Sequence, residues 1–382
     1  MKLQSNLINR FATPLLFTPG PTPCPEFIRI AMSQPTLHHR TKEFESIFAS
    51  VRESLIRLLG MSDVLMLASS GTGAMEACID VLSSKKILTI NSGKFGERFG
   101  SIGRALQREV IEISNEWDTP VSLNEVINAM KQHNNIECVC LQICESSGGV
   151  AHPYNDIFHF IKENYPNVFT IADGITAVGV EEIDVSHIDA LIGGSQKAFM
   201  LPPGLAVIGL SDFAINFIQS NPNGYYFNLS KELKYQQKNT TAYTAATSII
   251  MGLKAYFDML DSKELSIKDI YSYTEILANA VSKSMCSIGL KIYPKTPAKS
   301  MTVVQSEYAK EIIATLKSQY NINVANGQDH LKDKIFRINQ MGYVPLHEVA
   351  FVVNAIELSL STLGLRDFDS TANRVFFESI AI

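Results

Sequence analysis

The chain has 382 residues, more than one ordinary domain, and reads as one large domain followed by a smaller one. Hydrophobic residues make up 46% and charged residues 19%, a globular balance, and the net charge of −5 argues against a nucleic-acid binder, which needs a basic face. No stretch approaches the roughly 18 apolar residues of a membrane helix, and residues 1–6 carry no sustained apolar run, so neither a membrane anchor nor a secretory leader is expected.

The first thirty residues read as irregular, with Thr18-Pro19-Gly20-Pro21-Thr22-Pro23 as turns. Residues 44–59 place Phe44, Ile47, Phe48, Val51, Leu55, Leu58 and Leu59 at helical spacing and stop at Gly60. Two kinds of segment then alternate. Strands are predicted at 64–68, 87–91, 109–113, 136–143, 169–172, 188–192 and 205–210. Helices are predicted at 74–82, 95–106, 122–132 and 155–164. Strands without polar alternation, separated by helices, indicate an α/β fold with a mostly parallel sheet covered on both faces. After Thr247 the pattern changes to helices at 248–260 and 271–288, strands at 301–304 and 335–338, and a helix at 346–363. This α+β character places a boundary near residue 250, giving an N-terminal arm (1–20), a large domain (21–250) and a small domain (251–382).

Six cysteines stand at 24, 78, 138, 140, 144 and 286. They form no CxxC pair and have no histidine placed to complete a zinc site, so no metal is expected. Buried free thiols in a reducing cytoplasm are the expectation.

The most informative run is Gly193-Gly194-Ser195-Gln196-Lys197, closing on Pro202-Pro203-Gly204. It puts a lysine just after a strand-like stretch, among small residues, where its amine can be desolvated. Desolvation lowers an amine's pKa, and a neutral amine attacks carbonyls to form a Schiff base. Upstream, Ser69-Ser70-Gly71-Thr72-Gly73 lies between a strand and a helix, where free N–H groups and the helix dipole favour a phosphate. Neither GxxxxGK[ST] nor a dinucleotide glycine pattern is present. Asp173 ends a strand, Glu145-Ser146-Ser147 follows another, and Phe95 opens a helix after a third. All are expected at the carboxyl edge of the sheet, where ligands of parallel α/β folds bind. Taken singly, each has an ordinary structural role: a surface lysine, a turn-forming glycine, a capping aspartate, a core phenylalanine. Together they supply a phosphate loop, an aromatic, hydroxyls, an acid and a lysine to one edge.

In that order the chain resembles the class V aminotransferases of the fold-type-I pyridoxal-phosphate enzymes, closest in pattern to alanine–glyoxylate and serine–pyruvate aminotransferases. Thr18-Pro19-Gly20-Pro21, Ser70-Gly71-Thr72, Gly194-Ser195-Gln196-Lys197 and Phe336-Arg337-Ile338 carry the resemblance, which runs from about residue 16 to about residue 342. It implies a seven-stranded, mostly parallel sheet between helices plus a smaller α+β domain. It also implies pyridoxal 5′-phosphate held on Lys197, with Asp173 pairing the pyridine nitrogen. Phe95 and Ile175 would take the two ring faces, Ser147 the ring oxygen, and Ser70, Gly71, Thr72 and Gln196 the phosphate. Gly20 and Arg337 would meet the substrate, the arginine through its α-carboxylate. A homodimer with shared sites is implied, with Thr241 and Thr244 in the segment that completes the partner's phosphate site; the tyrosine usual just beyond is replaced by Met251.

The implied activity is transfer of an amino group from alanine or serine to glyoxylate or pyruvate, by ping-pong kinetics. Phosphoserine with 2-oxoglutarate is the alternative, since His38-His39-Arg40 offers charge for a second anion. A cysteine desulfurase needs a cysteine on a mobile C-terminal loop, and Cys286 falls on a predicted helix. A nucleotide-binding α/β protein with an incidental lysine is the reading from another class.

Overall fold

The structure is a computed structural model that describes residues 13–263 and 265–380; residues 1–12 of the expected arm lie outside the described residues. Strands run in chain order as β1 (Leu15–Phe17), β2 (Asp63–Leu67), β3 (Lys86–Asn91), β4 (Glu109–Ser114) and β5 (Cys138–Gln142). Next come β6 (Cys144–Glu145), β7 (Val150–Ala151), β8 (Phe169–Asp173), β9 (Ala190–Gly194) and β10 (Ala206–Leu210). The last four are β11 (Lys291–Ile292), β12 (Met301–Gln305), β13 (Ile322–Asn326) and β14 (Ile335–Asn339).

The central sheet has seven strands in the order β2-β10-β9-β8-β5-β3-β4. The pairs β3·β4, β3·β5, β5·β8 and β8·β9 are parallel, and β10 runs antiparallel to both of its neighbours. β2, β5, β8, β9 and β10 are buried along their whole length. That is why their sequences are continuous apolar runs rather than alternating ones. One face is covered by the helices Gly71–Leu82, Lys94–Ala105, Asp212–Ser220 and Leu229–Gln236. The other is covered by Lys42–Leu59, Leu123–Gln132, Tyr154–Asn164 and Thr247–Ser262.

The second sheet is ordered β1-β13-β14-β12-β11, with β1 parallel to β13 and the other pairs antiparallel. Helices Ile267–Ser287, Ala309–Tyr320, Leu346–Thr362 and Thr371–Ile380 pack on it around a separate apolar cluster. Among the described residues no helix is long and apolar enough to cross a membrane.

Three expectations need correction. The first thirty residues are not wholly irregular: Leu15–Phe17 joins the second sheet and Glu26–Met32 is a helix. The glycine loop is shorter than expected, because the helix predicted to start at 74 already starts at Gly71. The helix after Thr247 packs on Glu26–Met32 and Lys42–Leu59, and its Ile250, Leu253, Tyr256, Phe257 and Leu260 belong to the core beside the large sheet. A cut at residue 250 therefore divides a continuous apolar cluster. Leu253→Ala is expected to destabilise the protein by about 2–5 kcal/mol, the cost of an unfilled buried leucine site, measured by urea unfolding; a loss below about 1 kcal/mol would detach this helix from the large core.

Candidate active site

The carboxyl ends of β2, β3, β5, β8 and β9 open onto one edge, and the predicted residues gather there. At β9 the lysine loop is closed from within. Ser195 Oγ donates to Pro202 O at 2.7 Å and accepts from Leu205 N at 3.2 Å. Segment 18–22 covers the loop: Thr22 N donates to Gln196 O at 3.1 Å and Thr22 Oγ1 to Lys197 O at 2.7 Å. Lys197 Nζ then donates to Pro19 O at 2.5 Å. Gly20, at φ +104°, leaves room for this, since a β-carbon there would lie 2.5 Å from Lys197 Nζ. The turn predicted from prolines and glycine is thus a lid on the lysine.

Asp173 ends β8, buried, with Oδ1 accepting from Ile175 N at 2.9 Å. Ile175 leans over the turn that opens the helix Gly71–Leu82, where a β-carbon on Gly71 would overlap its Cδ1. Ser70 is the N-cap of the helix starting at Gly71, but its hydroxyl makes no capping bond. Thr72 Oγ1 accepts from Arg98 Nη1 at 3.0 Å, and the Arg98 guanidinium lies 4.6 Å from the centre of the half-buried Phe95 ring. Ser147 Oγ accepts from Lys94 N at 2.9 Å and donates to Glu145 Oε1 at 2.5 Å.

Thr244, the His38-His39-Arg40 run and Cys286 stand apart. Thr244 is exposed and lines a small cavity with Ala68, Tyr226 and Thr241. His38, His39 and Arg40 lie in the turn before helix Lys42–Leu59, where His38 Nδ1 accepts from Arg40 N at 3.3 Å. Cys286 is exposed on the helix Ile267–Ser287.

Arg337 projects from β14 and is nine-tenths buried. Its Nε and Nη2 donate to Asn326 O at 3.2 and 2.8 Å, and Nη1 donates to Ser146 O at 3.0 Å. A guanidinium has five N–H groups; these bonds use three, leaving one on each terminal nitrogen. No carboxylate pairs with it among the described residues. A cation held by carbonyls, with one N–H left on each terminal nitrogen, suits a carboxylate brought by a ligand.

Burial governs the charges. It pushes the Lys197 amine down to about 8, opposed by Asp173 and assisted by Arg337 and Arg98. It pushes Asp173 up to about 6, partly offset by the Ile175 N–H, with Glu145 adding to the rise and Lys197 and Arg98 opposing it. Arg337 falls to about 10 through desolvation, with Glu145 pulling the other way. Glu145 is itself raised by burial, although Ser147 and the N–H groups of Gly96 and Phe95 stabilise its anion.

No protein-family model matches the sequence. The chain is 49% identical to an uncharacterized aminotransferase of Helicobacter pylori strain J99, over 95% of this chain and 98% of that one. The chain belongs to the class V aminotransferases. The serine–glyoxylate aminotransferase of Hyphomicrobium methylovorum is 27% identical over 92% of this enzyme and 91% of that one. A solved structure of an aspartate aminotransferase of subgroup IV from Thermus thermophilus superposes with a TM-score of 0.83 at 26% identity, covering 91% of this enzyme and 99% of that chain.

The sequence reading placed Glu145 at this edge without giving it a role, and it passed over Arg98. Glu145 accepts from Phe95 N at 3.0 Å and Gly96 N at 2.9 Å, anchoring the first turn that carries Phe95. A carboxylate immediately after a strand, opposite the start of another element, was its only sequence signal. Arg98 was hidden by its place in an ordinary amphipathic helix.

Lys197 also yields a stability prediction. In the folded enzyme its amine gives up its proton near pH 8, and in the unfolded chain near 10.5. Between those values the unfolded chain holds more protons, so ligand-free stability rises with pH through this window, and below pH 8 the full penalty is present. That gap corresponds to about 3 kcal/mol. Lys197→Met is expected to stabilise the ligand-free enzyme by up to about that amount at pH 7 and to abolish the rise. Urea unfolding at pH 7, 8.5 and 10 tests it, and a flat wild-type profile would return the amine to solvent.

Proposed function

We propose that this aminotransferase holds pyridoxal 5′-phosphate on Lys197 and transfers the amino group of alanine or serine to glyoxylate or pyruvate in two half-reactions with ping-pong kinetics. The observation that carries the reading is the buried trio of Lys197, Asp173 and Arg337: a desolvated amine, an acid without a directly bonded cation, and a guanidinium with one N–H left on each terminal nitrogen. The donor set fits the cofactor. The helix beginning at Gly71 presents unbonded N–H groups and an uncapped Ser70 hydroxyl toward an anion. A side chain on Gly71 would collide with Ile175, so glycine keeps the backbone open for close approach.

When bound, the cofactor supplies an aldehyde that condenses with amines and a pyridinium that takes up the electron pair left at the donor's α-carbon. The rest falls to this chain. Asp173 holds the ring nitrogen protonated; Phe95 and Ile175 take the two ring faces. Ser70, Gly71, Thr72 and Gln196 hold the phosphate, and Ser147 meets the ring oxygen. Arg337 orients the substrate through its α-carboxylate, and Gly20 leaves space beside Lys197. A lysine near pKa 8 keeps about a tenth of its amines neutral at pH 7. Lys197 can therefore take the proton from the donor's α-carbon and return it at the cofactor's aldehyde carbon.

Serine as donor and glyoxylate as acceptor are supported by the likeness to the serine–glyoxylate enzyme. We place the enzyme in the cytoplasm as a homodimer in which Thr244 completes the partner's phosphate site. Six free cysteines suit that compartment. The exposed Tyr225 and Tyr226, clustered with Tyr243 beside Thr244, suit an interface.

The purified enzyme is expected to show a visible band that alanine or serine bleaches and phosphoserine does not. Lys197→Ala should lose the band, and a wild-type protein that stays colourless after incubation with pyridoxal phosphate would overturn the reading. Bleaching by phosphoserine alone would transfer the enzyme to the phosphoserine class. Arg337→Lys should raise the KM of the donor roughly 10- to 100-fold, the loss of a bidentate carboxylate contact, with kcat less affected.

A further inference from the structure

Arg98 sits on helix Lys94–Ala105 one turn beyond Phe95, so its side chain returns over the aromatic ring. The same guanidinium reaches across to the neighbouring helix and donates to Thr72 Oγ1 at 3.0 Å. Its surroundings are unusual for a half-buried arginine. The nearby Glu97 pairs with Lys94 at 2.9 Å, and no carboxylate pairs with Arg98 among the described residues. Its charge is felt inside the site, where it lowers the proton affinity of both Asp173 and Lys197.

The bond to Thr72 has a direction. A threonine hydroxyl has one proton and two lone pairs. Arg98 occupies a lone pair, and no group among the described residues accepts the Thr72 proton. The hydroxyl is thereby polarised and its proton left for a ligand at the first turn of helix Gly71–Leu82. One planar side chain thus touches both the aromatic wall and the anion-binding turn, which come from different helices.

We propose that Arg98 is a positioning residue that locks the Phe95 ring and the Thr72 hydroxyl together, so that ring wall and phosphate turn meet the cofactor as one preformed surface. The inference rests on the cofactor reading given under Proposed function. It assigns Arg98 no contact with substrate or reacting atoms. Lysine cannot replace it, because an ammonium has neither the plane to stack on Phe95 nor a rigid fork to reach Thr72 at the same time.

The test measures binding rather than turnover. Cofactor-free wild-type enzyme, R98K, R98M, T72V and R98M/T72V are titrated with deoxypyridoxine 5′-phosphate, which lacks the aldehyde and so reports the pocket without Lys197 chemistry. R98M is expected to raise Kd about tenfold, the effect of losing one charge-assisted hydrogen bond. R98K should recover little of that loss, and T72V should cost less in the R98M background than in wild type. Wild-type affinity in R98K would reduce Arg98 to a simple charge and overturn the inference, as would additive losses in the double variant. R98K also serves if R98M does not fold. Absence of binding by the wild type itself would strike the cofactor reading, whereas binding by the wild type with unchanged R98M affinity would strike only this inference.

Discussion

The whole arrangement depends on keeping four ionisable groups out of water at one edge of a sheet. Lys197, Asp173, Glu145 and Arg337 are all buried, and none is neutralised by a salt bridge among the described residues. Burying unpaired charge is costly, and a protein that only needed stability would pair these groups or replace them. Here each is held instead by neutral dipoles: Lys197 by a carbonyl, Asp173 by one N–H, Glu145 by three N–H groups and a hydroxyl, Arg337 by two carbonyls. Dipoles fix geometry without cancelling charge, so the site remains reactive toward a charged visitor.

That constraint explains why so much of the fold converges on so few residues. The apolar strands supply a low-dielectric floor; their ends supply the charged groups. The second sheet contributes through Arg337 on β14, whose guanidinium bonds Asn326 O on β13 and Ser146 O beside the central sheet. Those bonds tie the two layers together at the site itself. Segment 18–22 adds the roof, and strand β1, which leads directly into it, belongs to the second sheet. A movement of one layer against the other would therefore be felt first at the lysine and the arginine.

What could be read from the sequence follows from how local each signal is. The buried strands and their helices were legible because an apolar run or a helical stripe is written in consecutive residues, as in 169–172 or 44–59. Asp173, Lys197 and the Gly71 turn were legible because strand ends in a parallel sheet point to one edge. The strand Ile322–Asn326 and the helix Ala309–Tyr320 were not read, although the helix buries Ala309, Ile312, Thr315 and Leu316 at helical spacing; the strand is only five residues long and its apolar positions alternate with asparagines. The role of 18–22 was half visible. Its prolines and glycine announced a turn, but only the tertiary contact with Lys197 makes that turn a cover. The helix Thr247–Ser262 shows the converse: its change of local character was real, yet its partners lie in the first sixty residues.

Glu145 and Arg98 mark the deeper limit. Neither touches a reacting atom in any role assigned here, and each acts by holding a neighbour: Glu145 the turn bearing Phe95, Arg98 the Phe95 ring and Thr72. A motif search finds residues whose chemistry is intrinsic, such as a lysine that can condense with an aldehyde. It is blind to residues whose chemistry is relational, because a carboxylate that anchors a helix is indistinguishable in sequence from one that faces solvent. The two kinds are nonetheless coupled by electrostatics. Burial is the largest influence on Asp173, and on top of it Glu145 raises the carboxyl while Arg98 lowers it, so two opposite supports adjust the charge of that acid. A site of this kind is tuned from its periphery, and the tuning residues are the ones that only the folded chain reveals.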